Sequence, residues 1–151
     1  MKERYKYNTR IYEAMESLET YLEHCSIEPQ LLHLVKFRAS QLNGCAYCLD
    51  MHSQDLRAGG ENEQRLYTLE AWREAPFYSD RERAALAWTE AVTLVADGHV
   101  PDGVCEEARA HLSDKELADL TLAAAAINAW NRLSIAARSL PTYQLPVKAE
   151  G

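Results

Sequence analysis

Glycine and proline are scarce, six and five in 151 residues, and they fall mostly at the joints between periodic segments. With so few breakers and no stretch of alternating period, nothing in the chain competes with helix. Positive charge is also in deficit. The formal net charge is −7 and the isoelectric point lies near 5.2, which argues against a nucleic-acid or anionic-membrane surface. No apolar run approaches the ~20 residues of a membrane span. The opening Met1-Lys-Glu-Arg-Tyr-Lys-Tyr-Asn lacks the apolar region of a secretory signal, so a reducing cytoplasm is the expected compartment. No repeat, low-complexity tract, or flavin, haem or nicotinamide fingerprint is present, so no bound cofactor is expected.

What is present is a helical pattern from end to end. At this length one domain is expected over residues 1–151, with an extended arm at 1–9 and an irregular tail at 140–151 marked by Pro141 and Pro146. Ile11, Met15, Leu18, Leu22 and Cys25 recur at helical spacing. Pro29 suits the first turn of a second helix rich in Leu31, Leu32, Leu34, Val35 and Phe37. Asn43-Gly44 turns the chain into a third helix that Gly59-Gly60 should end. Glu61 to Arg73 reads as a further helix. Ser79-Asp-Arg-Glu82 and Ser113-Asp-Lys-Glu116 are capping boxes. The first opens a helix carrying Ala84 through Val95, the second a long Ala-rich helix through Leu133, and a short helix spans about Asp102 to His111. The expected fold is an all-α orthogonal bundle.

The chemistry concentrates in Gln41-Leu-Asn-Gly-Cys-Ala-Tyr-Cys-Leu-Asp-Met-His52. Two thiols in Cys-x2-Cys spacing can form a small, easily exchanged disulfide. On a helix Cys48 and His52 share a face, being four residues apart. Cys45 sits at the helix start, where unpaired N–H groups stabilise a thiolate. The set offers a nucleophile, a base and a second sulfur. Three readings of Cys45 and Cys48 compete. A dithiol redox centre is favoured. A Cys2His2 metal site from Cys45, Cys48, His52 and His33 is the second, and inert buried thiols the third. A bundle that buries a core does not need a metal to fold, so no metal is expected. A c-type haem is excluded because Leu49 follows Cys48. The isolated Cys25 and Cys105 read as small packed hydrophobes, and Asn128, Trp130, Asn131 and Arg132 as a structural polar cluster.

The run Leu31 to His52 resembles the core of the alkylhydroperoxidase D-like proteins of the carboxymuconolactone decarboxylase superfamily. The resemblance continues through Ala58-Gly-Gly-Glu61, Ser79 to Glu90, Leu112 to Glu116 and Ile127 to Leu133. It implies a hydroperoxide-reducing antioxidant enzyme. Cys48 would be the peroxide-attacking thiol, His52 its base and Cys45 the resolving thiol. An external dithiol or disulfide reductase would be the partner, and a homo-oligomer, trimer or hexamer, the assembly. The helix-start position alone would favour Cys45 as attacker, so a protein disulfide oxidoreductase without peroxide specificity is the neighbouring reading. A non-enzymatic helical module with a Cys/His metal site is the contrasting one. One position departs from the family: its proton-relay Glu, twelve residues before the first Cys, is His33 here.

Overall fold

The structure, a computed structural model, describes residues 1–142; the sequence-expected tail beyond that, Pro146 included, lies outside the described residues. Seven α-helices follow in order among the described residues: α1 Thr9–Leu22, α2 Pro29–Asn43, α3 Ala46–Ala58, α4 Glu63–Thr68, α5 Asp80–Thr93, α6 Asp102–His111 and α7 Asp114–Ala137. A 3-10 turn, Leu69–Ala71, follows α4 directly. There is no strand among the described residues, so the all-α orthogonal bundle expected from the pattern is what forms.

α2 is the central element. It packs against α3, α5 and α7, and its residues 31–40 are buried on nearly every side except at His33. Leu34, Val35, Leu56, Leu69, Leu86 and Leu120 fill the main core around it. Burying side chains of this size contributes about 1.5–3 kcal/mol each before entropy is set against it. A second, smaller cluster of Ala39, Cys45, Cys48 and Ile127 lies where α2, α3 and α7 meet, with Trp130 packed against it.

Helix ends follow local chemistry. Ser79 and Ser113 each close a reciprocal capping box, with Glu82 and Glu116. Pro29 begins α2 as expected, and Asn8 caps α1 by accepting the Ile11 N–H. Two expectations need correction. The stretch from Glu61 to Arg73 is not one helix: α4 ends at Thr68 and the chain tightens into the 3-10 turn. In that geometry residues three apart eclipse, which lets Leu69 and Trp72 both bury, with the Trp72 Nε1–H donating to Glu90. The helix opened by Ser79 ends at Thr93, leaving Val95 exposed rather than on the core face.

The N-terminal arm lies along the end of α7. The Arg4 N–H donates to the Ala137 carbonyl at 2.9 Å and the Tyr7 hydroxyl to the Leu133 carbonyl at 3.1 Å. No helix among the described residues is long and apolar enough to cross a membrane.

Candidate active site

α2 stops because Gly44 takes a left-handed conformation, φ 67°, that a residue with a Cβ adopts at a cost. The Gly44 N–H donates to the Gln41 carbonyl and the Cys45 N–H to the Ser40 carbonyl, the paired bonds of a Schellman turn. The next residue, Cys45, is already the N-cap of α3, and its sulfur accepts the Cys48 N–H at 3.4 Å. The two cysteines are joined as a disulfide with Cα atoms 5.4 Å apart, inside the range such a bond requires. Each is only 1% exposed.

One turn further along α3, His52 is buried. His33, on α2, faces it with ring centroids 5.8 Å apart. Asp55, which sequence reasoning missed, completes the group. Its carboxylate lies 3.5 Å from His52 Nδ1 and 3.8 Å from His33 Nδ1. Neither contact meets hydrogen-bond geometry, and both Nδ1 atoms are buried without a partner. Burial, reinforced by the nearby Lys36 and His33, pushes the His52 imidazole down to about 3. His33 is lowered as well, chiefly by burial and by Lys36, with Asp55 pulling the other way. His52 is therefore a neutral imidazole throughout the physiological range. The signal for Asp55 was available: residues three apart share a helix face.

Polar side chains beneath the thiols lock α2 to α7. Asn43 Nδ2 donates to the side-chain oxygens of Asn128 and Asn131, both at 2.9 Å. Asn131 Nδ2 donates to the Ser40 hydroxyl, which in turn donates to the Lys36 carbonyl. Trp130 Nε1–H donates to Glu19, the carboxylate that pairs with Lys36. Asn128 and Asn131 thus hold the Cys turn in place through buried and half-buried hydrogen bonds to Asn43 and Ser40.

Two cavities share Tyr47 in their walls, and one of them reaches Cys45. One, of about 350 Å³, is lined by Tyr7, Tyr12, Tyr47, Met51 and Trp130 among others. The other, of about 410 Å³, includes Gly44, Cys45 and Tyr47 in its wall. Tyr47 stands between them and is partly exposed. Small, mainly apolar molecules fit such spaces.

A helical bundle with a disulfide-linked Cys-x2-Cys at the N-cap of a helix, and a histidine one turn on, defines a redox-capable protein of the alkylhydroperoxidase D-like class. The carboxymuconolactone decarboxylase family profile matches residues 9–91, and the chain belongs to that family. It is 46% identical over 122 residues to the uncharacterized protein YdfG of Bacillus subtilis, covering 81% of this chain and 83% of the relative. A crystal structure from Agrobacterium tumefaciens, of a protein of unknown function provisionally assigned as the antioxidant-defence protein AhpD, superposes with a TM-score of 0.92 at 40% identity. That match covers 95% of this chain and all of the other. A peroxidase-related protein from Silicibacter sp. shares the fold at 22% identity and a TM-score of 0.79, over 89% of this chain and 72% of that one.

Proposed function

We propose that this protein is a thiol-dependent peroxidase of antioxidant type, working through Cys48, Cys45 and His52, with residues 1–151 acting as one domain. The observation that carries the reading is a buried dithiol pair at a helix start with a neutral imidazole one turn away. In the reduced state His52 takes the Cys48 proton. The Cys48 thiolate attacks the distal oxygen of a hydroperoxide, the O–O bond breaks, and the leaving alkoxide or hydroxide takes a proton back from His52. Cys48 is then a sulfenic acid. The Cys45 thiol condenses with it, releasing water and forming the Cys45–Cys48 disulfide. An external dithiol returns two electrons by thiol–disulfide exchange, and its own disulfide is the second product. The Cys48 N–H on the Cys45 sulfur stabilises Cys45 as the departing thiolate in that last step, so the reductant attacks Cys48. His33, beside Asp55, is the relay behind His52 where the family carries a Glu. The family resemblance supports a homo-oligomer, trimer or hexamer, and the sequence pattern supports a cytoplasmic protein without a bound cofactor.

The same N-cap geometry favours one second reading, a disulfide oxidoreductase that never meets peroxide, because it activates Cys45 by itself. Cys45→Ser separates the two. Treated with one equivalent of an organic hydroperoxide, that variant should hold Cys48 as a sulfenic acid that a dimedone-type probe labels, as measured by peptide mass. Unlabelled Cys48, with Cys45 in the wild type reducing protein disulfides at normal rate, removes the peroxidase reading.

A further inference from the structure

His33 Nδ1 and His52 Nδ1 are both buried and lack any hydrogen-bond partner. An orphaned buried nitrogen is costly; two, aimed at one carboxylate, call for an explanation. One donor atom from each of His33, His52 and Asp55 lies within 4.8 Å of the other two. The separations from Asp55 are 3.5 Å to His52 and 3.8 Å to His33. Bonds of about 2.0–2.2 Å to a tetrahedral ion set donor–donor edges of about 3.3–3.6 Å. The two carboxylate edges are thus nearly at length. The His–His edge would need a rotation of His33, whose side chain is one-third exposed.

The chemistry of the donors selects the ion. Two imidazoles and a carboxylate suit zinc-class divalent ions, not the all-oxygen preference of magnesium or calcium. Cys45 and Cys48 are tied to each other and contribute nothing. Lys36 is the opposing charge, and Glu19 pairs with it. Three protein donors leave a further position to solvent, on the side where His33 and Asp55 are partly exposed.

We propose that His33, His52 and Asp55 form a reversible site for a zinc-class divalent ion, and that its occupancy switches off His52 as a base. A neutral imidazole with a metal on one nitrogen carries its proton on the other, so no lone pair remains to accept the Cys48 proton. Binding rests on the donor geometry alone. The switching rests on the role proposed above for His52. The substitution of the family Glu by His33 is then what supplies the second nitrogen.

The test begins with the disulfide form of Cys25→Ser/Cys105→Ser, in which no free thiol competes. Titration with Zn²⁺ by calorimetry should find one equivalent bound. Co²⁺ should give the visible bands of a nitrogen–oxygen site without thiolate charge transfer. His33→Ala and Asp55→Asn should each weaken Zn²⁺ binding at least tenfold, with helicity checked by circular dichroism. If Asp55→Asn fails to fold, His33→Ala decides. No binding at millimolar Zn²⁺, or binding unchanged in His33→Ala, overturns the site and leaves the peroxidase reading untouched. In the second arm, Zn²⁺ should slow single-turnover oxidation of Cys48 in the reduced protein at least tenfold, and His33→Ala should relieve that slowing. Slowing that persists in His33→Ala marks capture of the thiols and overturns the switch. Zinc bound without any slowing overturns it too, by removing His52 as base.

Discussion

Two buried ionisable groups sit on either side of α2 and are treated in opposite ways. Glu90, on α5, accepts from Arg38 at 2.8 Å, Arg73 at 2.7 Å and the Trp72 indole at 2.8 Å. Burial pushes its carboxyl up, but the bonds from Trp72, Arg38 and Arg73 outweigh that and hold it below the usual range. His52, on α3, is just as buried and has no hydrogen bond at Nδ1. The first group is satisfied and charged; the second is unsatisfied and neutral. A satisfied network fixes helices in one arrangement. An unsatisfied base keeps a lone pair for chemistry. The contrast separates a network that holds the fold from the site proposed to do the chemistry.

The sharpest break of that contrast is Cys48→Ser. Peroxide turnover should fall to background in a coupled assay, while the melting temperature moves by no more than a few degrees, because a small buried atom is replaced without disturbing a charge. Loss of helicity in that variant would put the site on the structural side. Arg38→Met should do the reverse. Leaving Glu90 short of a buried partner costs about 3 kcal/mol, read as a lower urea midpoint, with Cys48 oxidation retained in the folded fraction.

Acid provides the third test. His52 is lowered in the folded state to about 3, against ~6.5 unfolded. Its neutral form therefore supports the fold fully above ~6.5. That support is lost as pH falls from there toward about 3, because the unfolded chain takes up the proton first. The loss is a few kcal/mol. His52→Gln should flatten this part of the stability–pH curve, measured by urea midpoints from pH 7 to 4. The same depression predicts no His52 titration between pH 5 and 8 by NMR, so the rise of Cys48 oxidation with pH follows the thiol. His33→Glu, which sets a carboxylate against the ring, should raise the His52 value. An unchanged titration in that variant would place His33 outside the site's electrostatics.

The smallest effect expected is at Arg138, which closes α7 in a left-handed conformation, φ 57°, without being glycine. Arg138→Gly should add about 1 kcal/mol to stability, visible as a rise of a few degrees in the melting temperature.

Features encoded over a few consecutive residues were legible in the sequence. Both capping boxes, Pro29 at the start of α2, Asn43-Gly44 and the Cys45–Cys48–His52 spacing needed only helix geometry. What escaped was set across helices. Asp55 gains its meaning from His33 on α2, twenty-two positions away in the chain. Trp72 tightens the chain after α4 because Glu90 awaits it on α5. The depression of His52 is set chiefly by burial, a property of the assembled bundle that no local spacing announces.

The Cys45–Cys48 bond spans a sequence separation of three, and the backbone between the two sulfurs is already fixed by the N-cap and the first turn of α3. Chain-entropy arguments give such a short ring about 2 kcal/mol of stabilisation, against nearly 5 for a loop of a hundred residues. Opening and closing it leaves the conformational freedom of the rest of the chain almost untouched. Making or breaking this bond therefore displaces the folding equilibrium less than making or breaking a long-range crosslink would.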